Sequence, residues 1–259
     1  DTIITIIRKH EAVWKAAAEG TSGHLKILNY DIDLQKKYVF LTVAVDTDEA
    51  MGMNMVTIAA DAIQATIVGL SKDIRCVTIA GNVDSDKKPS KRTHDRGRGF
   101  DIVCTGDIRE EEIVGTLKTT SEAMLMVADA KLKAGSSIAG AIGQNLHAAN
   151  IVAGIYLATG QDPAHVVEGS LTDTTVTKTA SGIQIAVHAP AIIVGVRGGG
   201  ANLPAQTQGR NLLLSQKSGL RPKQQLAESI AAAILCGELS LLAAQASHTL
   251  ASSHARLAR

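Results

Sequence analysis

The sequence predicts an α+β fold, and three observations carry that prediction. Apolar residues recur at helical spacing in some windows and alternate with polar ones in others, so both periods are present. The strand-like runs "LKILNYDIDL" and "YVFLTVAVD" stand side by side with a short polar connection, which suggests a small unit with a largely antiparallel sheet. The second half is rich in alanine and glycine, with long helical stretches.

Taken in order, residues 1 to about 18 read as a helix with Ile3, Ile4, Ile7 and Trp14 on its apolar side, stopped by "EGTSGH". The second strand of the pair alternates as Val39, Leu41, Val43 and Val45. "MVTIAADAIQATIVGL" follows as a helix and "IRCVTIAG" as a buried strand. Residues 82–99, "NVDSDKKPSKRTHDRGRG", are polar and basic, the usual composition of a solvated loop. "FDIVCTGDI" is a further strand, with a helix from about Arg109. Helices are expected near 146–158 and 223–256, and Pro222 stands where proline suits a helix start. Between them "SGIQIAVHAPAIIVGV" reads as sheet, closed by "RGGGANLP".

Composition narrows the function classes. At 259 residues the chain can bury a sizeable core in one large domain or two smaller ones. Aromatics are only 2%, so the core is aliphatic and base stacking is disfavoured as a binding mode. A net charge of +1 without a polybasic tail argues against nucleic acid or an anionic membrane as partner. Cys76, Cys104 and Cys236 lack the spacing of a zinc site, so no metal is expected, and they read as buried free thiols of a reducing compartment. No secretory signal opens the chain, and Glu228 and Glu238 interrupt its most apolar window, which favours a core helix over a membrane span. The first residue is Asp and not Met, from which a piece of a longer protein is expected.

Several motifs could carry chemistry. Three of the five methionines alternate within "DTDEAMGMNM", where soft side chains suit either gap-filling in a core or a binding loop. In "SDKKP", an ammonium aimed at a carbonyl oxygen would stabilise the negative charge that grows there during reduction, while a bare lysine pair is more commonly a solvated loop. "NLHAANIV" puts His147 and Asn150 on one face of a helix, as packing or as a site wall. Asp162 in "GQDP" is a helix cap or a functional acid. His254 could titrate near neutral pH and deliver a proton, or simply lie on the surface. The glycines of "GVRGGGANLP" do not fit a Rossmann fingerprint.

Read together, "DTDEAMGMNM", "GNVDSDKKP", "NLHAANIV", "GQD", "RGGGANLP" and "GELSLLAA…SSH" follow the order and spacing of 3-hydroxy-3-methylglutaryl-CoA (HMG-CoA) reductase, and nearly the whole chain resembles that family. It looks closest to the archaeal-type branch of class I, which shares "DT-x-x-AMGMNM" and a shorter glycine segment before "HAAN". The resemblance implies a small ferredoxin-like dinucleotide-binding domain over 1–80, inserted in a larger helix-rich α/β substrate domain, here 81–259. It implies reduction of HMG-CoA to mevalonate and free coenzyme A with NADPH, or alternatively NADH. Lys87 would hold the substrate oxyanion, Asp162 would tune that lysine, and His254 would protonate the departing coenzyme A thiolate. Asn82, Lys88 and Lys131 match positions that contact the hydroxymethylglutaryl end, and His147 and Asn150 match a helix lining the site. Ser22, Glu49, Met51, Gly52, Met53, Asn54 and Met55 match the cofactor-binding segments. A cytoplasmic homodimer with active sites shared between protomers is implied, with a tetramer as the larger alternative.

The chain departs from the family pattern at several points. Ala80 stands at the serine of "SGN", Gly23 at a basic residue near the cofactor phosphate, and "SKRTHDRGRGF" replaces "AINWIEGRGK". Arg197 enters the glycine cluster, and the family's glutamate-bearing segment is expected upstream of Asp1. These departures leave a second function open, a non-catalytic relative that keeps the fold and its binding surfaces. Retention of Lys87, Asp162 and His254 together favours the reductase.

Overall fold

The computed structural model of the chain describes residues 2–249 and residue 255. The contacts divide the protein into two compact units, Asp1–Asp86 and Lys87–Arg259.

In the first unit, helices α1 (Thr2–Lys9) and α2 (Glu11–Glu19) are followed by strands β1 (Lys26–Gln35) and β2 (Tyr38–Asp46) and helix α3 (Met53–Gly69). The expected single N-terminal helix is therefore two, parted at His10. β1 and β2 form an antiparallel hairpin in which Gln35 pairs with Tyr38, and Lys36 takes the left-handed conformation that so tight a turn demands. A two-stranded sheet is marginal alone and needs an apolar partner layer. The helices supply it: Ile7, Trp14, Ala18, Ala59, Ile63 and Ile67 form one core with Leu25 and Ile74. Trp14 is wholly buried, and its indole N–H donates to the Ile7 carbonyl at 2.9 Å, which satisfies the ring's polar atom.

The expected strand "IRCVTIAG" does not form. Ile74 enters the core, but Val77 and Ile79 are exposed and the segment joins no ladder, so its apolar run has no partner to make it a strand. It runs instead along an apolar cavity of about 530 Å³ walled by β2 and α3.

In the second unit, α4 (Lys91–Arg96) lies inside the stretch expected to be a loop. Ser90 caps it by accepting the Thr93 N–H, the local signal that turns this polar run into a helix. Strand β3 (Phe100–Arg109) follows, then α5 (Glu110–Glu112), which continues as a π-helical turn, and α6 (Ser121–Ala128), α7 (Ser136–Ala139) and α8 (Ala148–Thr159). A 3₁₀ turn (Pro163–His165) leads into α9 (Val166–Gly169), β4 (Asp173–Lys178), β5 (Gly182–Ile192), α10 (Pro204–Asn211) and α11 (Pro222–Ala246). The sheet is antiparallel in the order β3-β5-β4.

Ile185, Val187 and Ala189 of central β5 pack against Leu226, Ile230 and Ile234 of α11 and against Val152 and Tyr156 of α8. Helix α11 is long and apolar enough to cross a membrane by length and composition, and half of its most apolar window is buried within the unit. It ends at Ala246, short of the expected 256. The three cysteines are free but not buried as expected: Cys76 and Cys236 are exposed and Cys104 is half-buried.

Candidate functional site

In the second unit, a lysine is held at both ends by one short segment. Lys87 Nζ lies 3.0 Å from Asp162 Oδ2, and the Lys87 backbone N–H donates to Glu168 Oε1. The lysine adopts φ = 57°, a conformation that costs energy for any residue with a Cβ and persists only where the surroundings impose it. Asp162 is also the helix cap that its sequence position allowed, since its carboxylate accepts the Ala164 N–H at 3.0 Å. The two readings of Asp162 coexist.

The segment that carries Asp162 is fixed from below. Gly160 ends α8 at φ = 73°, and a Cβ there would come within 2.4 Å of the Gly200 carbonyl oxygen. The glycine cluster of "RGGGANLP" thus gives room for the "GQD" turn to touch its backbone. Gln161 is buried, with its amide donating to the Thr159 carbonyl and its oxygen accepting the Gly195 N–H. His165 and Glu168, both wholly buried, follow in the same segment. His165 places Nε2 3.9 Å from Asp162 Oδ2 and Nδ1 3.4 Å from Glu168 Oε2. Arg98 donates to Glu168 Oε1 at 3.0 Å.

Electrostatics follow from these contacts. Burial pushes the Asp162 carboxyl upward, but the Lys87 ammonium, the Ala164 N–H and His165 outweigh it and hold the group below the usual aspartate range. Burial also raises Glu168, and His165 with the Lys87 N–H overcomes it, so this acid is likewise held ionised. The arrangement presents a fixed ammonium whose counter-ion is itself fixed, which suits stabilisation of a developing oxyanion.

The remaining candidates of this unit lie on other elements. Lys88 follows Lys87 and is exposed, and Lys131 is exposed on the π-helical turn Asp129–Gly135. His147 does not lie inside a helix with Asn150, as expected, but precedes α8 as its N-cap residue, because its backbone (φ −156°, ψ 29°) is not helical. Its ring Nε2 meets the Gly237 carbonyl at 2.9 Å, while Asn150 is exposed on the first turn. Glu238 of α11 is wholly buried and accepts the N–H groups of Leu146 and His147 and the Thr174 hydroxyl, which fixes the start of α8. His254 lies outside the described residues.

In the first unit, the methionine stretch joins β2 to α3. Gly52 has φ = 95°, and a Cβ on it would lie 2.2 Å from Thr47 Cγ2, so only glycine fits this turn. Gly52 stands at the N-cap of α3, and a helix N-terminus is an end that favours anions. Met51, Met53 and Met55 are half-buried, Met55 packs on the core, and Asn54 is exposed. Ser22 is brought to this loop by its neighbour: Ser22 Oγ accepts the His24 N–H, and His24 Nδ1 lies 3.0 Å from Asp48 Oδ2. Glu49 is half-buried beside Asp48, and Asn82 is exposed at φ = 60°.

The family model for hydroxymethylglutaryl-coenzyme A reductase matches residues 2–259. The chain belongs to the HMG-CoA reductase family. This reductase-family chain is 38% identical to the 3-hydroxy-3-methylglutaryl-coenzyme A reductase of Haloferax volcanii over 263 residues, covering 100% of the chain and 65% of the relative. It is 40% identical to that of Aeropyrum pernix over 249 residues, covering 95% of the chain and 59% of the relative. The chain thus spans less than two thirds of the length of these relatives. The class II reductase of Streptococcus pneumoniae, solved bound to NADPH in open conformations, shares the fold with a TM-score of 0.64 at 18% identity, over 93% of this chain and 66% of that one.

The sequence did not single out His165, Glu168, Arg98, Gln161 or Glu238 as site residues. A signal existed for three of them, His165, Glu168 and Glu238: polar residues inside the apolar runs "AHVVEGSL" and "ILCGELSLL" must be paired if buried.

Proposed function

We propose that this chain is the main part of an HMG-CoA reductase that reduces the thioester of HMG-CoA to the alcohol of mevalonate and releases coenzyme A. The observation that carries the reading is the ion pair of Lys87 with Asp162 on a strained, doubly anchored lysine. The Lys87 ammonium binds the carbonyl oxygen of the thioester and stabilises its charge as hydride arrives. Asp162 keeps that ammonium charged and in place. His254 protonates the departing thiolate. Asn82, Lys88 and Lys131 bind the carboxylate end, and His147 and Asn150 wall the site.

Residues 1–80 form the dinucleotide domain, of ferredoxin-like kind, and residues 81–259 the substrate domain. Bound NADPH, or NADH in its stead, supplies hydride. Gly52 with Met53, Asn54 and Met55 at the start of α3 holds its phosphates, and Ser22, Glu49 and Met51 flank them; the close backbone approach forced at Gly52, at the N-terminus of a helix, supports this fit. The enzyme works in the cytoplasm as a homodimer with shared sites, or as a tetramer.

Cofactor absorbance followed with HMG-CoA tests the reading, in this chain and in one extended upstream of Asp1. Turnover that Lys87→Ala abolishes supports the reductase. Absence of turnover in both chains, with coenzyme A binding intact, replaces it with a non-catalytic relative.

A further inference from the structure

We infer that Glu168 is a positioning residue that sets the reactive end of Lys87 through the lysine's main chain. The inference rests on the reductase reading for its kinetic consequence, but not for its structural content. Glu168 is wholly buried, and an ionised carboxylate in such a place is costly unless its oxygens are occupied. One oxygen takes two donors, the Lys87 N–H and the Arg98 guanidinium, and the other faces His165.

These donors converge from three stretches: the strained Lys87, the residues just before β3, and the turn after α8. At φ = 57° the Lys87 N–H donates to Glu168 while its side chain reaches Asp162. Asp162 therefore acts on the ammonium and Glu168 on the backbone that carries it. Since both acids stand in one rigid segment, between the end of α8 and the end of α9, the distance between the two restraints is fixed. A buried ion pair is weak evidence of a stabilising role, because apolar replacements are often as stable. Its use here is geometric.

The segment that supplies Arg98 is the one that departs from the family pattern around it, "SKRTHDRGRGF". Within it, His94 meets Asp173 with Nε2 at 2.7 Å, so the departing stretch is tied to β4. Glu168 is the acid that receives it next to Lys87.

Competitive acylation of lysines by a trace amine-acylating anhydride, read by peptide mass spectrometry, tests this without any turnover. Only the free amine is acylated, so an ammonium held by a carboxylate labels slowly. With Lys88 and Lys131 as internal standards, Glu168→Gln should raise labelling of Lys87 roughly three- to tenfold. Asp162→Asn should raise it as well, and the double variant should exceed the larger single one by less than about twofold, as expected of coupled sites. Glu168→Asp keeps the charge but withdraws the oxygen, so it gives a smaller rise and serves if Glu168→Gln does not fold.

In the reductase assay Glu168→Gln should lower kcat about 10- to 100-fold, with KM for HMG-CoA within about twofold. Lys87 labelling that stays at its native ratio in both Glu168 variants, while Asp162→Asn raises it, overturns the inference. A protein with no reductase activity leaves the labelling experiment, and the inference, standing on its own result.

Discussion

The Glu238 carboxylate, wholly buried in α11, accepts the His147 N–H at 2.8 Å from 91 positions further along the chain. Its second oxygen takes the Leu146 N–H and the Thr174 hydroxyl. This single acid fixes the N-terminal end of α8 and ties it to β4 and α11. Glu238→Ala leaves three donors without their acceptor and should cost on the order of 3 kcal/mol. Urea unfolding followed by far-UV circular dichroism measures it, and an unshifted midpoint would refute the assignment.

The contact of Gly160 with Gly200 predicts a second effect. A methyl group at Gly160 meets the Gly200 carbonyl and forces a left-handed residue with a Cβ. Gly160→Ala should destabilise by about 2 kcal/mol or more. The same change should lower kcat, because Asp162 follows two residues later. Gly154→Ala, in open space on α8, is the control and should be neutral or slightly stabilising.

At the start of α3, Gly52→Ala places a Cβ against Thr47 at a backbone angle that side chains rarely adopt. Titration of NADPH fluorescence should show at least about a tenfold weaker Kd, equivalent to 1.4 kcal/mol. Met53→Leu keeps volume and apolar character, and should leave both Kd and stability within about 1.5 kcal/mol of native. Equal weakening by both substitutions would remove Gly52 from the cofactor role.

The acid limb of stability has a worked sign. Glu168 and Asp162 are both held below their ordinary values of 4.5 and 3.8 in the folded chain. A depressed carboxyl adds stability above its unfolded value and loses it as pH falls through the folded one. Stability should therefore be flat with respect to these groups above about pH 5 and fall below 4.5. Glu168→Gln should flatten that fall, whereas Asp162→Asn should change it less, because Asp162 is partly exposed and screened by water. Denaturant midpoints measured from pH 3 to pH 7 give the two slopes.

Local chemistry alone decided much of this protein. The β1–β2 pair, the helix after the methionine stretch, strands β3 and β5 and the apolar helix starting at Pro222 could be read from periodicity and proline, because those signals depend on neighbours a few residues away. The family could also be read, since "AMGMNM" and "DKKP" in order are specific. What the periodicity could not settle was partnership. "IRCVTIAG" is apolar like a buried strand but finds no edge to join, while part of the polar stretch before Phe100 becomes a helix through its cap.

The same limit applied to charge. Glu168 and Glu238 each look, in sequence, like an acid interrupting an apolar run. Only the fold brings donors from 64 to 92 positions away onto their oxygens. The sequence by itself determined the family and roughly where several helices and strands begin. The tertiary structure decided that Glu168 is held ionised, which donors the buried Glu238 receives and which backbone angle Lys87 takes, because hydrogen-bond donors converge in space, where sequence spacing carries no signal.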